Sequence, residues 1–313
     1  MAKPIVVIGS INMDMVCRTP RIPVPGETIV GSAFTTIPGG KGANQAVASA
    51  LLGGDVYMVG RVGDDDFGRR LLDGLIANDV HTDQVVRTNH TSSGCAMILV
   101  DKKGENSIVV IPGANAKVTP EDVDAARDLI ASAGAVVLQL EIPLATAEHA
   151  IRLARELGVP TILDPAPAIA KLPAGLFDVD ILTPNESEAE LLLGLDVSRD
   201  TKARRATDPR AIAADLVARG ARSVILKLGR RGCLSADTDG RVEKAGAYKI
   251  RVTDSTAAGD AFTGALAVGL VEGMERPEMI RFANAAGALC CQAFGAQPSL
   301  PTRAAVDEFR MGE

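Results

Sequence analysis

The sequence is poor in the side chains that serve base stacking or histidine chemistry. Its 313 residues include no tryptophan, aromatic residues make up 3%, and the three histidines are His81, His90 and His149. So few rings leave nucleic-acid bases little to stack on, and a net charge of −6 provides no general attraction to phosphate backbones. We therefore expect no nucleic-acid partner, and the scattered histidines argue against a histidine metal site or a catalytic triad.

Five cysteines and the lack of long apolar runs bear on the compartment. No two cysteines have Cys-x-x-Cys spacing, so we expect buried thiols in a reducing compartment rather than a disulfide framework. No apolar run reaches the length of about 18 residues that a transmembrane helix needs. The short apolar run near the amino terminus is typical of a first strand rather than a signal peptide. The sequence therefore predicts a cytoplasmic protein without a membrane partner.

Several nucleotide-binding and hydrolase motifs are missing as well. The chain has no Gly-x-x-x-x-Gly-Lys-Ser/Thr loop, no His-Glu-x-x-His and no Gly-x-Ser-x-Gly. The stretch GGKGANQ at 39–45 has two glycines in Gly-x-Gly spacing, but Gln45 stands where a dinucleotide fingerprint needs its third glycine. These absences exclude a P-loop protein and disfavour a dehydrogenase.

The chain does contain a regular alternation of short apolar runs with amphipathic stretches. Runs of Val, Ile and Leu predict buried strands at 5–9, 56–60, 135–140, 159–164, 179–184 and 223–229. Helices are expected at 42–52, 66–78, 120–132, 144–157, 186–193, 208–219, 258–272 and 277–293, with a turn-rich β segment at 231–252. This order predicts an α/β fold with a doubly wound, mostly parallel sheet, in one domain over residues 1–313.

Two stretches, 13–37 and 94–111, depart from this rhythm, because each is typical of consecutive strands with no helix between them. We expect these strands to form a small antiparallel sheet that stands off the main body as a lid over a cleft. The polar run 198–210 is expected to be an exposed loop or a fraying helix end.

The stretch TAAGDAFTGA at 256–265 places one charge, Asp260, among small residues where a helical pattern begins. A helix N-terminus offers free N–H groups and a partial positive charge, and small residues let a phosphate approach them. This pattern indicates a phosphate site with a carboxylate beside it. The alternative is an N-capping aspartate, which needs no function.

Three other stretches strengthen the first interpretation. PGGKGANQA at 38–46 is a second small-residue loop entering a helix, GSINMD at 9–14 ends the first strand, and TPNESEAE at 183–190 follows another strand. Ligands of such sheets bind beyond the carboxyl ends of the strands. For Glu188 the alternative is a carboxylate in the first turn of a helix, with no further role.

Eight motifs in chain order, from about residue 5 to about residue 301, together resemble the PfkB-type carbohydrate kinase family, and within it the members that phosphorylate ribose. They are GSINMD, PGGKGANQA, VGDDDFG (62–68), DPAPA (164–168, similar to NPAP), TPNESEAE, KLGRRG (227–232), DSTAAGDAFTGAL (254–266) and GAQPSLP (295–301). The GGKGANQA loop and the late D-x-x-AAGD-x-F motif are the most specific of them.

The resemblance implies transfer of the γ-phosphoryl group of ATP to the 5-hydroxyl of ribose, with Mg²⁺. It implies Asp260 as the catalytic base and the N–H groups of Ala257, Ala258 and Gly259 as an anion hole. The implied sugar contacts are Asn12, Asp14, Gly40, Lys41, Gly42, Asn44, Glu141 and Asp260. The implied nucleotide contacts are Asn185, Lys227, Gly229, Gly232, Gly259 and Asn284.

The resemblance also implies two cation sites and an assembly. Glu188 would organise Mg²⁺ through water, and the lid sheets would pair in a homodimer. A monovalent cation, usually K⁺, would bind beside the anion hole at Asp254, Thr256, Cys290, Ala293, Gly295 and Ser299. Two residues depart from the family pattern: Lys227 stands where Thr is expected, and Asn284 stands where some relatives carry His.

Alternatives of two kinds stay open. Another sugar or nucleoside kinase of the same family, acting on deoxyribose, fructose or adenosine, fits the same motifs, because fold does not determine substrate. A non-catalytic sugar- or nucleotide-sensing module would also retain the fold. Asp260 disfavours the sensing module, because a pure sensor needs no base.

Overall fold

The computed structural model describes residues 3–195 and 208–312. Within these ranges the chain forms thirteen strands: β1 Ile5–Ile8, β2 Asn12–Arg18, β3 Ala33–Gly39, β4 Val56–Gly63, β5 Val80–Thr88, β6 Gly94–Val100, β7 Asn106–Ile111, β8 Ala135–Leu138, β9 Thr161–Leu163, β10 Ile181–Leu182, β11 Ser223–Lys227, β12 Cys233–Asp237 and β13 Val242–Ala245.

The same ranges form ten α-helices: α1 Lys41–Leu51, α2 Asp66–Ala77, α3 Pro120–Ala125, α4 Arg127–Ser132, α5 Leu144–Glu156, α6 Glu186–Leu193, α7 Pro209–Ala218, α8 Ala258–Val271, α9 Arg276–Cys290 and α10 Arg303–Met311. None of the helices in the described part of the chain is long and apolar enough to cross a membrane.

Nine strands form the main sheet, in the order β13-β12-β11-β10-β9-β8-β1-β4-β5. The strands from β11 to β5 run parallel, and β12 and β13 add an antiparallel edge. Successive residues of β1 face opposite sides: Ile5 and Val7 pack with α1, α8 and α9, whereas Val6 and Ile8 pack with α3 to α7. A strand buried on both faces explains its continuous apolar sequence, and the predicted doubly wound α/β fold is confirmed.

Four strands form a separate small sheet, in the order β3-β2-β6-β7, which we call the lid. The predicted antiparallel arrangement holds for the pairs β2–β3 and β6–β7 but is wrong for the central pair, because β2 and β6 run parallel. Between β3 and β6 the chain passes through α1, β4, α2 and β5 of the main body. The pairs β2–β3 and β6–β7 therefore enter the lid in the same direction. The lid is therefore a mixed sheet.

Many element ends differ from the sequence expectation by a few residues, and three further differences concern whole elements or segments. The helix expected over 120–132 is interrupted at Ala126, whose N–H donates to Val123 O in a tight turn. Strand β5 and helix α10 were not expected, because each has a single buried side chain, Val80 and Val306, and therefore no marked apolar pattern. Of the polar run 198–210, residues 198–207 lie outside the described residues, while Asp208 caps α7 by accepting from Arg210 N.

Candidate active site

A cavity of about 1270 Å³ opens at the carboxyl edge of the main sheet. Eleven of the residues that the sequence pointed to line it, although they come from distant parts of the chain. The predicted residues that line it are Lys41, Asn185, Glu188, Lys227, Gly229, Gly232, Ala257, Ala258, Gly259, Asp260 and Asn284.

Asp260 lies at the inner end of this cavity, in the first turn of α8, with 5% of its surface exposed. Its Oδ2 accepts a hydrogen bond from Asn44 Nδ2 at 2.9 Å, and its Oδ1 accepts one from Gln45 Nε2 at 3.0 Å. The N-cap position of α8 is occupied by Ala257 without a side-chain bond, so the capping interpretation of Asp260 is wrong. Burial raises the pKa of Asp260 to about 6, although Lys41 and the two amide donors oppose that shift.

The start of α8 has an unusual backbone. Ala257 has a φ of 60°, in the left-handed region, which costs a residue with a Cβ roughly 1–2 kcal/mol. Strain of this kind concentrates at functional sites. The N–H groups in the first turn of a helix have no acceptor inside the helix. In α8, the Ala258 N–H donates to Ser255 O, which precedes the helix, at 3.3 Å. The positive end of the helix thus lies directly beside the Asp260 carboxylate.

Two glycines bring α1 against the loop that follows β1. Gly40 has a φ of 87°, and a Cβ on it would lie 2.7 Å from Asn12 N. A Cβ on Gly42 would lie 2.6 Å from Ser10 N. Only glycine fits such close approaches, and they place the N-terminus of α1 next to the first residues of the lid.

The predicted sugar-contact residues meet at this point, which we call the lid end of the site and define as Asn12, Asp14, Lys41, Asn44 and Glu141. Glu141 Oε2 accepts from Ser10 Oγ at 2.5 Å and from Lys41 N at 3.0 Å. Burial, together with the negative charges of Glu141 and Asp260, raises the pKa of Asp14 to about 7. Burial alone would lower the pKa of Lys41, but the surrounding carboxylates, Asp260 first, raise it.

Asn12 is held by a residue that the sequence did not point to. Asn115 Nδ2 donates to Asn12 Oδ1 at 2.7 Å, and Asn115 Oδ1 accepts from Ile11 N at 2.9 Å. Both asparagines are buried. Because the Asn12 oxygen is engaged by Asn115, the orientation of the Asn12 amide is fixed at the first residue of the lid.

The other half of the site, the open end, comprises Asn185, Glu188, Lys227, Gly229, Gly232 and Asn284. Asn185 Oδ1 accepts from Glu188 N at 2.9 Å, and Glu188 Oε2 accepts from Asn185 N at 2.7 Å. This capping box shows that Glu188 does serve the first turn of α6, as the alternative interpretation held, while it also lines the cavity. Burial raises the pKa of Glu188, although Lys227 opposes that shift.

Asp164, from the DPAPA motif, connects the two ends. Its Oδ1 accepts from Lys227 Nζ at 2.9 Å, and its Oδ2 accepts from Gln45 Nε2 at 3.0 Å. Gln45 Nε2 also donates to Asp260, and Gln45 Oε1 accepts from Gln139 Nε2 at 2.6 Å. A continuous buried network therefore runs from Lys227 through Asp164 and Gln45 to Asp260.

The residues of the predicted monovalent-cation site also come together, behind the N-terminus of α8. Asp254 accepts from Thr256 Oγ1 at 2.7 Å and from Gly295 N at 3.1 Å. Burial disfavours the charge of Asp254, but these hydrogen bonds prevail and lower its pKa. The neighbouring contacts join Cys290 Sγ to Thr256 O at 3.4 Å, Cys290 Sγ to Ser299 Oγ at 3.0 Å, and Ala293 N to Cys290 O at 3.4 Å.

Comparison with known proteins bears directly on this site. The model of the pfkB family of carbohydrate kinases matches residues 2–303. The chain belongs to the pfkB family. The resemblance inferred from the motifs is thereby confirmed.

Individual family members are similar over nearly the whole chain. The ribokinase of Bacillus subtilis (strain 168) is 38% identical over 305 residues, which cover 97% of this chain and 98% of that relative. The structure of Arabidopsis thaliana ribokinase complexed with ribose and ATP has a TM-score of 0.88 and 35% identity, with 99% of each chain covered. The deoxyribokinase of Salmonella typhi is 36% identical over 306 residues, which cover 97% of this chain and 98% of that relative.

Sequence reasoning on this pfkB-family chain missed four polar residues that hold the site together: Ser10, Gln45, Asn115 and Gln139. Ser10 and Gln45 lie inside motifs that were recognised, so their position was a usable signal. Asn115 and Gln139 each come after a strand, as the recognised site residues do, and this position was the signal that could have found them. Gln139 lacks the second signal, a neighbouring loop of small residues. Their roles depend on contacts across 94 to 104 positions of the chain.

Proposed function

We propose that the protein is an ATP-dependent ribose kinase that phosphorylates the 5-hydroxyl of ribose. The observation that carries the proposal is the buried Asp260 carboxylate beside the N-terminus of α8, at the point where the polar lid end meets the large open cavity. A hydroxyl from one side and a phosphate from the other would meet there.

In this proposal Asp260 is the general base. The sugar hydroxyl oxygen attacks the γ-phosphorus, its proton passes to Asp260, and the bond to the bridging oxygen of ADP breaks. The N–H groups of Ala257, Ala258 and Gly259 act as the anion hole for the developing charge, which the positive end of α8 stabilises. A pKa raised to about 6 leaves Asp260 ionised at neutral pH and closer to the proton affinity that base catalysis requires.

The lid end supplies the sugar contacts in this proposal. A furanose presents neighbouring hydroxyls, and short carboxylate and amide side chains match them in size and polarity. Asn44 Oδ1 is buried and has no hydrogen-bond partner among the described residues. A buried acceptor is costly when unpaired, so a sugar hydroxyl donating to it supports the assignment. The full proposed set is Asn12, Asp14, Gly40, Lys41, Gly42, Asn44, Glu141 and Asp260.

The open end supplies the nucleotide contacts, through Asn185, Lys227, Gly229, Gly232, Gly259 and Asn284. No group of three metal-ligating side chains occurs in the described part of the chain. Mg²⁺ keeps several waters and binds through substrate phosphates and one or two carboxylates, and the Glu188 carboxylate at the cavity wall fits that requirement. Glu188 is the carboxylate that would hold it through water, and the ion would neutralise charge on the phosphates.

A monovalent cation, K⁺, would be held by Asp254, Thr256, Cys290, Ala293, Gly295 and Ser299. The carboxylate, hydroxyl and carbonyl oxygens of this cluster fit a hard cation. Because the cluster packs behind Ala257, it would stabilise the strained backbone of the proposed anion hole.

We further propose a cytoplasmic homodimer that pairs through the lid. Phe34, Met97, Ile108, Val109 and Val110 of the lid expose between 49% and 65% of their surface. Three of these are consecutive on β7, so both faces of that edge strand are apolar and exposed. An exposed apolar patch favours a protein partner, and a second lid matches it in chemistry. Free thiols, buried at Cys233 and Cys290, support a reducing compartment.

The direct test measures ADP release from ATP with ribose, 2-deoxyribose, fructose and adenosine, in KCl and then in NaCl at equal ionic strength. We expect the highest kcat/KM with ribose and higher activity in KCl. A preference for another acceptor would support one of the family alternatives. Deoxyribose is one such acceptor, and the deoxyribokinase of Salmonella typhi is among the relatives similar to this chain. ATP binding without turnover on any acceptor would support the sensing module instead.

A further inference from the structure

Lys227 and Asp164 form a buried ion pair at the cavity wall. The distance from Lys227 Nζ to Asp164 Oδ1 is 2.9 Å, and the two side chains are 16% and 2% exposed. Lys227 stands where the family pattern carries Thr, and Asp164 is the first residue of the DPAPA motif, which is similar to NPAP.

Stability does not explain this pair. Withdrawing two charges from water costs several kcal/mol per ion, and uncharged residues of similar volume are often as stable or more so. The position of Lys227 suggests another role. A Cβ placed on Gly259 would lie 3.3 Å from Lys227 Nζ, so the ammonium is next to the first turn of α8. An ammonium has three donors, and Asp164 takes one of them.

The surroundings of Lys227 Nζ favour a phosphate as its other partner. The side chain lines the cavity together with Gly259 and Glu188. Asp164 and Glu188 are the carboxylates near the ammonium. A group that reached the ammonium from the cavity would at the same time face the N-terminus of α8. Only an anion benefits from both the ammonium and the helix terminus.

We propose that Lys227 Nζ donates a hydrogen bond to the transferred phosphoryl group, and that Asp164 is the positioning residue that aims it. The inference rests on the proposed function. Asp164 Oδ2 accepts from Gln45 Nε2, which also donates to Asp260 Oδ1. The same carboxylate thus orients the phosphate contact and, through Gln45, the catalytic base.

The test compares Lys227→Thr, Asp164→Asn and the double variant with wild type. Lys227→Thr alone leaves Asp164 buried without its partner and is expected to lose stability. The double variant removes both charges and is expected to melt near the wild-type temperature. Lys244→Thr, an exposed lysine on β13, is the matched control for the loss of one positive charge. The affinities for ATP, ADP and AMP are measured by calorimetry with Mg²⁺ and without sugar.

For the double variant we expect weaker ATP binding by about 10- to 100-fold, the usual range for a charge-assisted hydrogen bond. The loss should be smaller for ADP and absent for AMP, and kcat should fall as well. ATP affinity and kcat at wild-type values in the double variant would overturn the inference, because Lys227 would then only neutralise Asp164. An equal loss for all three nucleotides would overturn it too. A wild type that binds no ATP would instead contradict the proposed function.

Discussion

The two ends of the site are built differently. At the lid end, buried and half-buried side chains hold one another: Asn12 is held by Asn115, and Glu141 by Ser10 and the Lys41 N–H. At the open end, glycine turns and a helix terminus surround about 1270 Å³ of space. The first arrangement suits a small ligand read through its hydroxyls, and the second suits a large ligand held by its phosphates. Asp260 belongs to both, which explains why its surroundings combine amides with small residues.

The polar lid end carries the electrostatic cost of carboxylates that lie close together. Burial is the main cause of the raised pKa values of Asp14 and Asp260, and the charges of Glu141 and Asp260 raise the pKa of Asp14 further. Lys41 offsets part of this repulsion. A site that is preorganised in this way binds and reacts well but is less stable than an apolar packing of the same residues.

The largest effect is expected where the two ends meet. Asp260→Asn should lower kcat by about 10²–10⁴-fold, the usual contribution of a positioned general base. Because the amide retains the shape of the carboxylate, the fold and the ATP affinity should persist. Single-turnover kinetics and calorimetry test this, and near-normal turnover would exclude Asp260 as the base.

A change confined to the lid end should alter sugar choice and leave the nucleotide alone. Asn12→Met removes a polar group that Asn115 holds in place, so it should reduce the preference for ribose over 2-deoxyribose by about 1–3 kcal/mol. Asp14→Ala should weaken both sugars. The values of kcat/KM for both sugars, with KM for ATP as the control, decide the matter. If Asn12→Met left the sugar ratio unchanged, the assignment of Asn12 to the sugar would fail.

The pH dependence sharpens the role of Asp260 further. With a pKa raised to about 6, the Asp260 carboxyl group, the proposed base, is ionised above that pH and protonated below it. We expect kcat/KM to fall about tenfold per unit as the pH drops below 6, the slope of a single ionisation. Thermal melts over the same range show whether the protein stays folded. A profile flat down to pH 5 would contradict the base assignment or the raised pKa.

The smallest effect concerns stability at the lid end. The pKa of Asp14 is raised from 3.8 to about 7 in the folded state, so the folded state holds its proton more tightly and loses stability as the pH rises from about 4 to about 7. Asp14→Asn should therefore raise the free energy of unfolding by on the order of 1–2 kcal/mol at pH 8 and leave it unchanged at pH 4. Denaturant titrations at both pH values measure this. An equal gain at pH 4 would point to packing rather than charge.

Local pattern alone determined much of this molecule. Strands such as β1 and β8 were predictable because parallel strands buried on both faces need continuous apolar residues. Helix α6 was predicted with its observed bounds, 186–193, because a capping box marks its start. The positions of Asp260, Lys41 and Asn185 followed from small-residue loops and strand ends, which are also local.

The tertiary structure decided the pairings between distant segments. Nothing near β2 or β6 indicates that they run parallel, because that direction is set by the crossover through the main body. The strand β5 was missed because Val80 is its one buried residue, so burial left no apolar pattern in its sequence. The contacts of Asn115 with Asn12, and of Lys227 with Asp164, join positions 103 and 63 residues apart. Side-chain hydrogen bonds across such separations leave no periodicity in the chain, and only the folded backbone brings their partners together.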